Sequence, residues 1–255
     1  MSHWVDRFSL TGRTALVTGA SRGVGAEICR VFADAGADIV AVARDTEELE
    51  KVASEVREAG RQCQVQPCDL SDPIAIETLC TGLLKHTKVD ILVNNAGVAL
   101  IAPALEASLA DWDTTMAINV RAPFQLAQLL APGMIDRRWG KIVNISSQAG
   151  VIGLEDHTAY SSSKAAMNSM TRGLMSEWAR FNVQVNAICP TVILTDMGRK
   201  IWGAQEKSAP MLAKTPSGRF GEQVEVADMA LYLASDASAL VNGETLLLDG
   251  GFSAV

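Results

Sequence analysis

Thr14-Ala15-Leu16-Val17-Thr18-Gly19-Ala20-Ser21-Arg22-Gly23-Val24-Gly25 is the stretch on which the fold turns. Thr14–Thr18 is apolar and β-branched, which reads as a strand buried on both faces. It breaks at Gly19, and Gly25–Ala35 reads as a helix that stops at Gly36. A strand that passes through a glycine turn into a helix brings free backbone N–H groups and the positive helix end to one point, where a pyrophosphate can rest. The spacing is GxxxGxG, and glycine also makes turns with no ligand. The strand before, the helix after and the position first in the chain raise the dinucleotide reading above the structural one.

The same alternation continues outward. Ile39–Ala43, Gln62–Cys68, Ile91–Asn94, Lys141–Ile145, Val183–Ile188 and Thr245–Leu248 read as further strands. Between them Thr46–Ala59, Pro73–His86, Leu109–Ile135, Tyr160–Phe181 and Val224–Ala234 read as helices, with Pro123 and Pro132 marking bends or ends of the long one. Strands apolar at nearly every position, in βαβαβ order, predict an α/β fold. It is a Rossmann-type, doubly wound parallel sheet of about seven strands with helices on both faces, in three layers. No linker, repeat or low-complexity block divides 1–255, so a single domain is expected. The one irregular stretch, Thr191–Arg219, suits a mobile lid over a site.

Composition narrows the function. The 255 residues are 48% hydrophobic and 20% charged with net charge -7, an ordinary globular balance that makes nucleic acid a poor partner. No signal-peptide core or apolar span of membrane length is evident, so no membrane partner is expected. Cys29, Cys63, Cys68, Cys80 and Cys189 form no CxxC pair, and His3, His86 and His157 no HxxxH, so reduced thiols in a cytoplasmic protein and no metal are expected. Tyr160 and Tyr232 are the only tyrosines.

The second strand ends at Ala43, followed by Arg44 and Asp45. A carboxylate at that end holds the ribose 2′-hydroxyl of NAD, and arginine accommodates the 2′-phosphate of NADP. Arg44, with Arg22 as a second cation, favours NADP (NADPH); two solvated surface arginines would look the same, and a one-residue slip onto Asp45 would favour NAD, which stays possible. Asp69-Leu70 is placed at the adenine edge, or Asp69 caps the next helix with Ser71 or Asp72.

At the opposite end of the sheet edge, strand four runs into Asn94-Asn95-Ala96-Gly97 and strand five into Ser146-Ser147. Tyr160 follows Ser147 by thirteen residues and Lys164 follows Tyr160 by four, so the last two share a helix face. A free phenol, with a pKa near ~10, is a poor base at neutral pH. A neighbouring ammonium would lower it, letting Tyr160 exchange a proton with a substrate oxygen while hydride moves to or from a nicotinamide. A serine hydroxyl beside it can hold the same oxygen.

TGASRGVG at Thr18–Gly25, NNAG at Asn94–Gly97, Asn119, Ser147, YSSSK at Tyr160–Lys164 and Pro190 fall in the order and spacing of the short-chain dehydrogenase/reductase family, which the chain resembles over essentially its whole length. The resemblance implies Tyr160 as acid/base, Ser147 rather than Ser146 as partner of the carbonyl oxygen, Lys164 on the nicotinamide ribose, and Asn119 anchoring a water that relays protons through Lys164. It also implies a dinucleotide site of Gly19, Ser21, Arg22, Gly23, Val24, Gly25, Arg44, Asp69, Leu70, Asn95, Ala96, Gly97, Pro190, Ile193 and Thr195, shared with Tyr160 and Lys164.

One departure is informative: Pro190 is followed by Thr191, where the family usually has glycine. Pro190–Thr195 resembles the L-xylulose (dicarbonyl/carbonyl) reductase branch, as do Gln148, His157 and Trp202, which together with Ser147 would face a small hydroxylated substrate. Each could instead be a loop residue, a helix cap or packing. The resemblance implies an NADP(H)-dependent oxidoreductase of a ketose, polyol or α-dicarbonyl. Reduction of 3-oxoacyl thioesters, or dinucleotide sensing without turnover, are the alternatives. It also implies a homotetramer through the helices near 109–135 and 160–181, where Met116, Phe124, Leu126, Leu129, Leu130, Met167, Met170, Leu174 and Trp178 supply apolar surface that could equally pack on the sheet.

Overall fold

The computed structural model describes residues 3–195, 198–199 and 204–255. Seven strands, β1 (Thr14–Thr18), β2 (Asp38–Ala43), β3 (Cys63–Pro67), β4 (Ile91–Asn94), β5 (Gly140–Ile145), β6 (Val183–Pro190) and β7 (Thr245–Leu248), form one sheet in the order β3-β2-β1-β4-β5-β6-β7. Every pairing is parallel, as the apolar runs require. Strand direction of winding reverses between β1 and β4, so their carboxyl ends border the crevice where ligands of such sheets bind.

Side-chain alternation builds two cores. Ala15, Val17, Ile39, Ala41, Ile91 and Val93 face one layer, formed by α1 (Gly23–Asp34), α2 (Thr46–Glu58) and the helix Gln223–Ala234. Leu16, Val40, Val42 and Leu92 face the other, formed by α3 (Pro73–Leu83), α5 (Ala122–Arg137) and α6 (Thr158–Trp178). The predicted three layers are thus present. Leu126, Leu130, Met167 and Leu174 are buried in the chain's own interior. Met116, Val120, Phe124 and Met170 instead line a surface groove of about 680 Å³, with Phe124 exposed.

Several boundaries differ from the sequence reading. The helix after β1 starts at Gly23. The long helix divides into α4 (Leu109–Met116), a wider π turn over Ala117–Arg121, and α5. Pro123 follows directly on the π turn, in the first turn of α5, whereas Pro132 sits inside α5 without ending it. Burial of Leu126, Leu130 and Met134 carries the helix through to Arg138, whose left-handed φ of 53° stops it. β6 extends through Cys189-Pro190 because Leu247 and Leu248 continue its ladder. Thr191–Arg219 is not wholly irregular: it holds α7 (Gln205–Ala213), which Pro210 within it hid from a periodicity search. The helix Gln223–Ala234 is α8. Among the described residues no helix is long and apolar enough to cross a membrane, and no acidic, His and Cys cluster could hold a metal ion. All five cysteines are buried free thiols.

At the amino end of β5, far from the crevice, Lys141 is 1% exposed and donates to Ser238 Oγ at 3.2 Å. Burial pushes its ammonium down to about 8, against the attraction of Asp236 and with a small push from Arg13. The unfolded chain therefore holds a proton that the folded chain lacks between about pH 8 and 10.5, and stability rises with pH across that window. Buried Lys164, also pushed down to about 8, acts in the same direction. Lys141→Met should raise the melting temperature at pH 7 by a few degrees (roughly 2–4 °C per kcal/mol). It should also leave a shallower rise toward pH 10. Thermal denaturation against pH checks both; a melting temperature lowered at pH 7 would contradict it.

Candidate active site

The crevice begins at the glycine turn. Gly19 and Gly23 have φ of 65° and 61°, which favour glycine. A Cβ at Gly25 would stand 2.2 Å from the Gly19 carbonyl oxygen, so the turn folds onto α1 with no room for a side chain. Thr18 braces it, its hydroxyl accepting from the backbone N–H groups of Asn95 and Ala96 at 3.0 Å each. The Asn95 amide donates to the carbonyls of Thr18 at 2.9 Å and Gly19 at 3.3 Å. Asn95, expected at the dinucleotide, thus spends its amide on holding the turn that would receive it. Thr18 was passed over in the sequence, because a threonine at a strand end carries no signal of its own. The segment after β6 closes over the same turn: Ile193 bridges to Gly221, and the Thr195 methyl would be 3.3 Å from a Cβ on Gly23. Thr191 keeps a negative φ and donates its N–H to the Leu248 carbonyl, so the missing glycine imposes no strain.

β2 ends at Ala43, and Arg44 projects into solvent, as does Arg22. Among the described residues no hydrogen bond or ion pair holds either guanidinium. Asp45 is the N-cap of α2, its carboxylate accepting from the Glu48 N–H at 3.2 Å. The cap of α3 is Asp72, not Asp69. Asp69 accepts from the Ser71 N–H and hydroxyl, which with the nearby Arg44 charge hold its carboxyl below the usual range. Leu70 is buried in the core beneath. The residues fit a dinucleotide: a glycine turn packed tightly at a helix N-terminus, with two unengaged arginines at its edge.

The other end is assembled from three elements. Ser147 is the N-cap of the short turn Gln148–Gly150 after β5, and its hydroxyl accepts from the Ala149 N–H at 3.1 Å. Ser146 turns the other way and donates to the Lys164 carbonyl at 3.2 Å. Tyr160 and Lys164 share a face of α6, with the ammonium 5.7 Å from the phenol ring centroid. Lys164 is 3% exposed and donates to the Ile145 carbonyl at 2.8 Å. Burial pushes its ammonium down to about 8. The Tyr160 phenol is pushed up by burial, against a hydrogen bond with Ser147. This reverses the expected direction: in the protein alone desolvation of the phenolate outweighs the Ser147 hydrogen bond, and the ammonium is turned toward the strand carbonyl.

Asn119 occupies the π turn, fully buried. Its amide donates to the Val98 carbonyl at 2.9 Å and to Ser163 Oγ at 3.0 Å, and its Oδ1 accepts from the Val98 N–H at 2.9 Å. Ser163, not singled out in the sequence, passes the contact on to the Tyr160 carbonyl. A Cβ on Gly97 would lie 3.2 Å from Asn119 Oδ1 and 3.5 Å from Lys164 Nζ, so Gly97 leaves these two groups bordering one small space. Gln148 is 3% exposed with Oε1 unpartnered among the described residues. The His157 Nδ1 meets the Glu155 carbonyl, and the ring lies edge-on to Tyr160 at 6.3 Å. A carbonyl only accepts, so Nδ1 carries the proton and a neutral ring presents Nε2 as an acceptor. Trp202 lies outside the described residues. Tyr232 packs against Phe8 away from this site.

A family model described as enoyl-(acyl carrier protein) reductase matches residues 19–253. The chain belongs to the short-chain dehydrogenase/reductase family. It is thereby an oxidoreductase. It is 42% identical to the NAD-dependent glycerol dehydrogenase of Listeria innocua, over 96% of each chain. It is 40% identical to the L-xylulose reductase of Bos taurus, over 96% of this chain and 98% of that one. Among solved structures, a gluconate 5-dehydrogenase from Burkholderia cenocepacia in complex with NADP and tartrate superposes with a TM-score of 0.94 at 35% identity, over 99% of this chain and 100% of that one.

Proposed function

We propose that this member of the family is an NADP(H)-dependent dehydrogenase/reductase that interconverts a small polyhydroxylated ketone and its secondary alcohol. The observation that carries the reading is the meeting of Ser147, Tyr160, Lys164 and Asn119 at the carboxyl edge of the sheet, one strand from the glycine turn. The relatives named for glycerol, L-xylulose and gluconate support the substrate class.

The nicotinamide, when bound, supplies or accepts the hydride and, oxidised, adds a positive charge that favours the phenolate. Tyr160 Oη gives its proton to the substrate oxygen in reduction and takes it back in oxidation. Ser147 Oγ donates to the same oxygen. Lys164 holds the ribose hydroxyls and returns a proton to the phenol, replenished through a water on the remaining lone pair of Asn119 Oδ1. Gln148 Oε1 and His157 Nε2 are two acceptors for the substrate's other hydroxyls, a set that suits a polyol and leaves an acyl chain without partners. Gly19, Ser21, Gly23, Val24 and Gly25 carry the pyrophosphate, Arg22 and Arg44 the 2′-phosphate, Asp69 and Leu70 the adenine, and Ala96, Gly97, Pro190, Ile193 and Thr195 border the nicotinamide half. The chain would act as one domain with a lid within Thr191–Arg219, of which 196–197 and 200–203 lie outside the described residues. Four copies would assemble through the groove of Met116, Val120, Phe124 and Met170, in a cytoplasmic setting that suits its free thiols.

Initial rates with NADPH or NADP against ketoses, polyols, α-diketones and acetoacetyl thioesters test this. Turnover of the hydroxylated compounds with little on the thioester is expected. Preference for the thioester would replace the substrate assignment.

A further inference from the structure

Tyr160 and Lys164 do not end their face of α6. Asn168 continues it, eight residues after Tyr160 and four after Lys164, and is 4% exposed. No step of the mechanism above uses it, although it touches both segments that must be fixed relative to Tyr160. Its Nδ2 donates to the Gly150 carbonyl at 3.4 Å. Gly150 closes the short turn that Ser147 opens, and its own N–H returns to the Ser147 carbonyl at 3.0 Å. The turn rests on α6 at this point: a Cβ on Gly150 would be 2.8 Å from the Lys164 carbonyl carbon and 2.9 Å from Asn168 Nδ2. On the other side Asn168 Oδ1 accepts from the Cys189 thiol at 3.6 Å. Cys189 is the penultimate residue of β6, immediately before Pro190, and is itself fully buried. Its sulfur also lies in polar contact with the Ser146 hydroxyl and the Ser147 backbone.

We propose that Asn168 is a positioning residue: its amide ties the turn bearing Ser147 and the end of β6 to the face of α6 that bears Tyr160 and Lys164. An amide is the group that suits both contacts, because one faces a carbonyl and needs a donor while the other faces a thiol and needs an acceptor. A carboxylate would set an anion against the Gly150 carbonyl, and leucine, similar in shape, would leave that carbonyl and the thiol without this partner. The consequence is specific to chemistry. Ser147 has to meet the same oxygen as the Tyr160 phenol, and its hydrogen bond is what draws the phenol back toward ionisation. A turn that drifts on α6 weakens that bond while the glycine turn, on the far side of β4, is untouched. The inference rests on the proposed role of Tyr160, and the test separates the two.

Asn168→Leu and the milder Cys189→Ala and Cys189→Ser are compared with the parent chain in ketose reduction across pH, with dinucleotide affinity read by tryptophan fluorescence. Asn168→Leu should lower kcat about 10-fold, the size of effect that a small misplacement of reacting groups produces. The ionisation that limits the pH profile of kcat should move upward, while dinucleotide Kd stays within about twofold. Cys189→Ala should shift both in the same direction by less, and Cys189→Ser, which keeps a donor for Oδ1, should restore the parental profile. A parental kcat and profile in both Asn168→Leu and Cys189→Ala would overturn the proposal. So would a loss of kcat that matches the loss of folded protein with an unmoved profile. Tyr160→Phe, run alongside, isolates the premise: full activity there would fault the assignment of Tyr160 and not the tie made by Asn168.

Discussion

Tyr160→Phe should lose about 10³-fold in kcat, within the range that general acid–base groups contribute. The substitution removes one oxygen and the one proton at the substrate oxygen that Lys164 can replenish. Ser147 can still donate a hydrogen bond, but its hydroxyl has no ammonium or cationic ring positioned to replace a proton it gives up. The ring's packing, including the edge contact with His157 and the Lys164 ammonium above it, is retained in phenylalanine. Binding of the dinucleotide should therefore change little, and melting temperature should fall by no more than a few degrees, for the one hydrogen bond lost with Ser147. Steady-state rates combined with fluorescence titration of NADPH check the split. A sensing protein without turnover would show no rate in the parent to lose; a parent and variant of equal activity would remove Tyr160 from the mechanism.

Arg44→Ala should weaken NADPH by about 10- to 100-fold, the effect of losing a hydrogen bond to a charged phosphate worth roughly 1.5–3 kcal/mol. NADH should be affected far less. The end of β2 sets which side chain meets the ribose. Ala43 is the terminal ladder residue, opposite Pro67, so the next side chain is the one that meets the ribose. Asp45 caps α2, which leaves the cation as the group free at that edge. Because the guanidinium is exposed, added salt should erode the NADPH advantage of the parent more than that of the variant, which keeps Arg22. KM for both dinucleotides, at low and high salt, is the measurement. Equal losses with NADPH and NADH would sink the 2′-phosphate assignment and return Asp45 to consideration.

The sequence was most legible where one physical force dominates. β1, β4 and β7 are short apolar runs closed by glycine, asparagine and aspartate respectively, and their limits as read coincide with their ladders. The choice of Ser147 over Ser146 rested on spacing, and the two hydroxyls do point to different places, one toward Tyr160 and the other into α6. Legibility failed where several weak forces compete. α7 carries an internal proline and few buried residues, so neither periodicity nor composition announced it. The π turn around Asn119 packs on α6 beside α4, a tertiary contact that no local pattern encodes. The upward direction of the Tyr160 shift in the protein alone comes from burial, which a sequence does not display as it displays charge. Asn168 had a visible signal, the continuation of the Tyr160 and Lys164 spacing by four more residues, but its partners at Gly150 and Cys189 belong to distant parts of the chain.

Hydride should pass between a nicotinamide and a carbinol carbon in this crevice. Incubation with NADPH deuterated at C4 on the transferred face, together with the ketose reduced fastest in the substrate panel, tests it most directly by mass spectrometry of the product. One deuterium per product alcohol, bound to the carbinol carbon and lost with Tyr160→Phe, is the predicted result. A reduced product without deuterium from either face, or no reduction of any hydroxylated carbonyl, would contradict it.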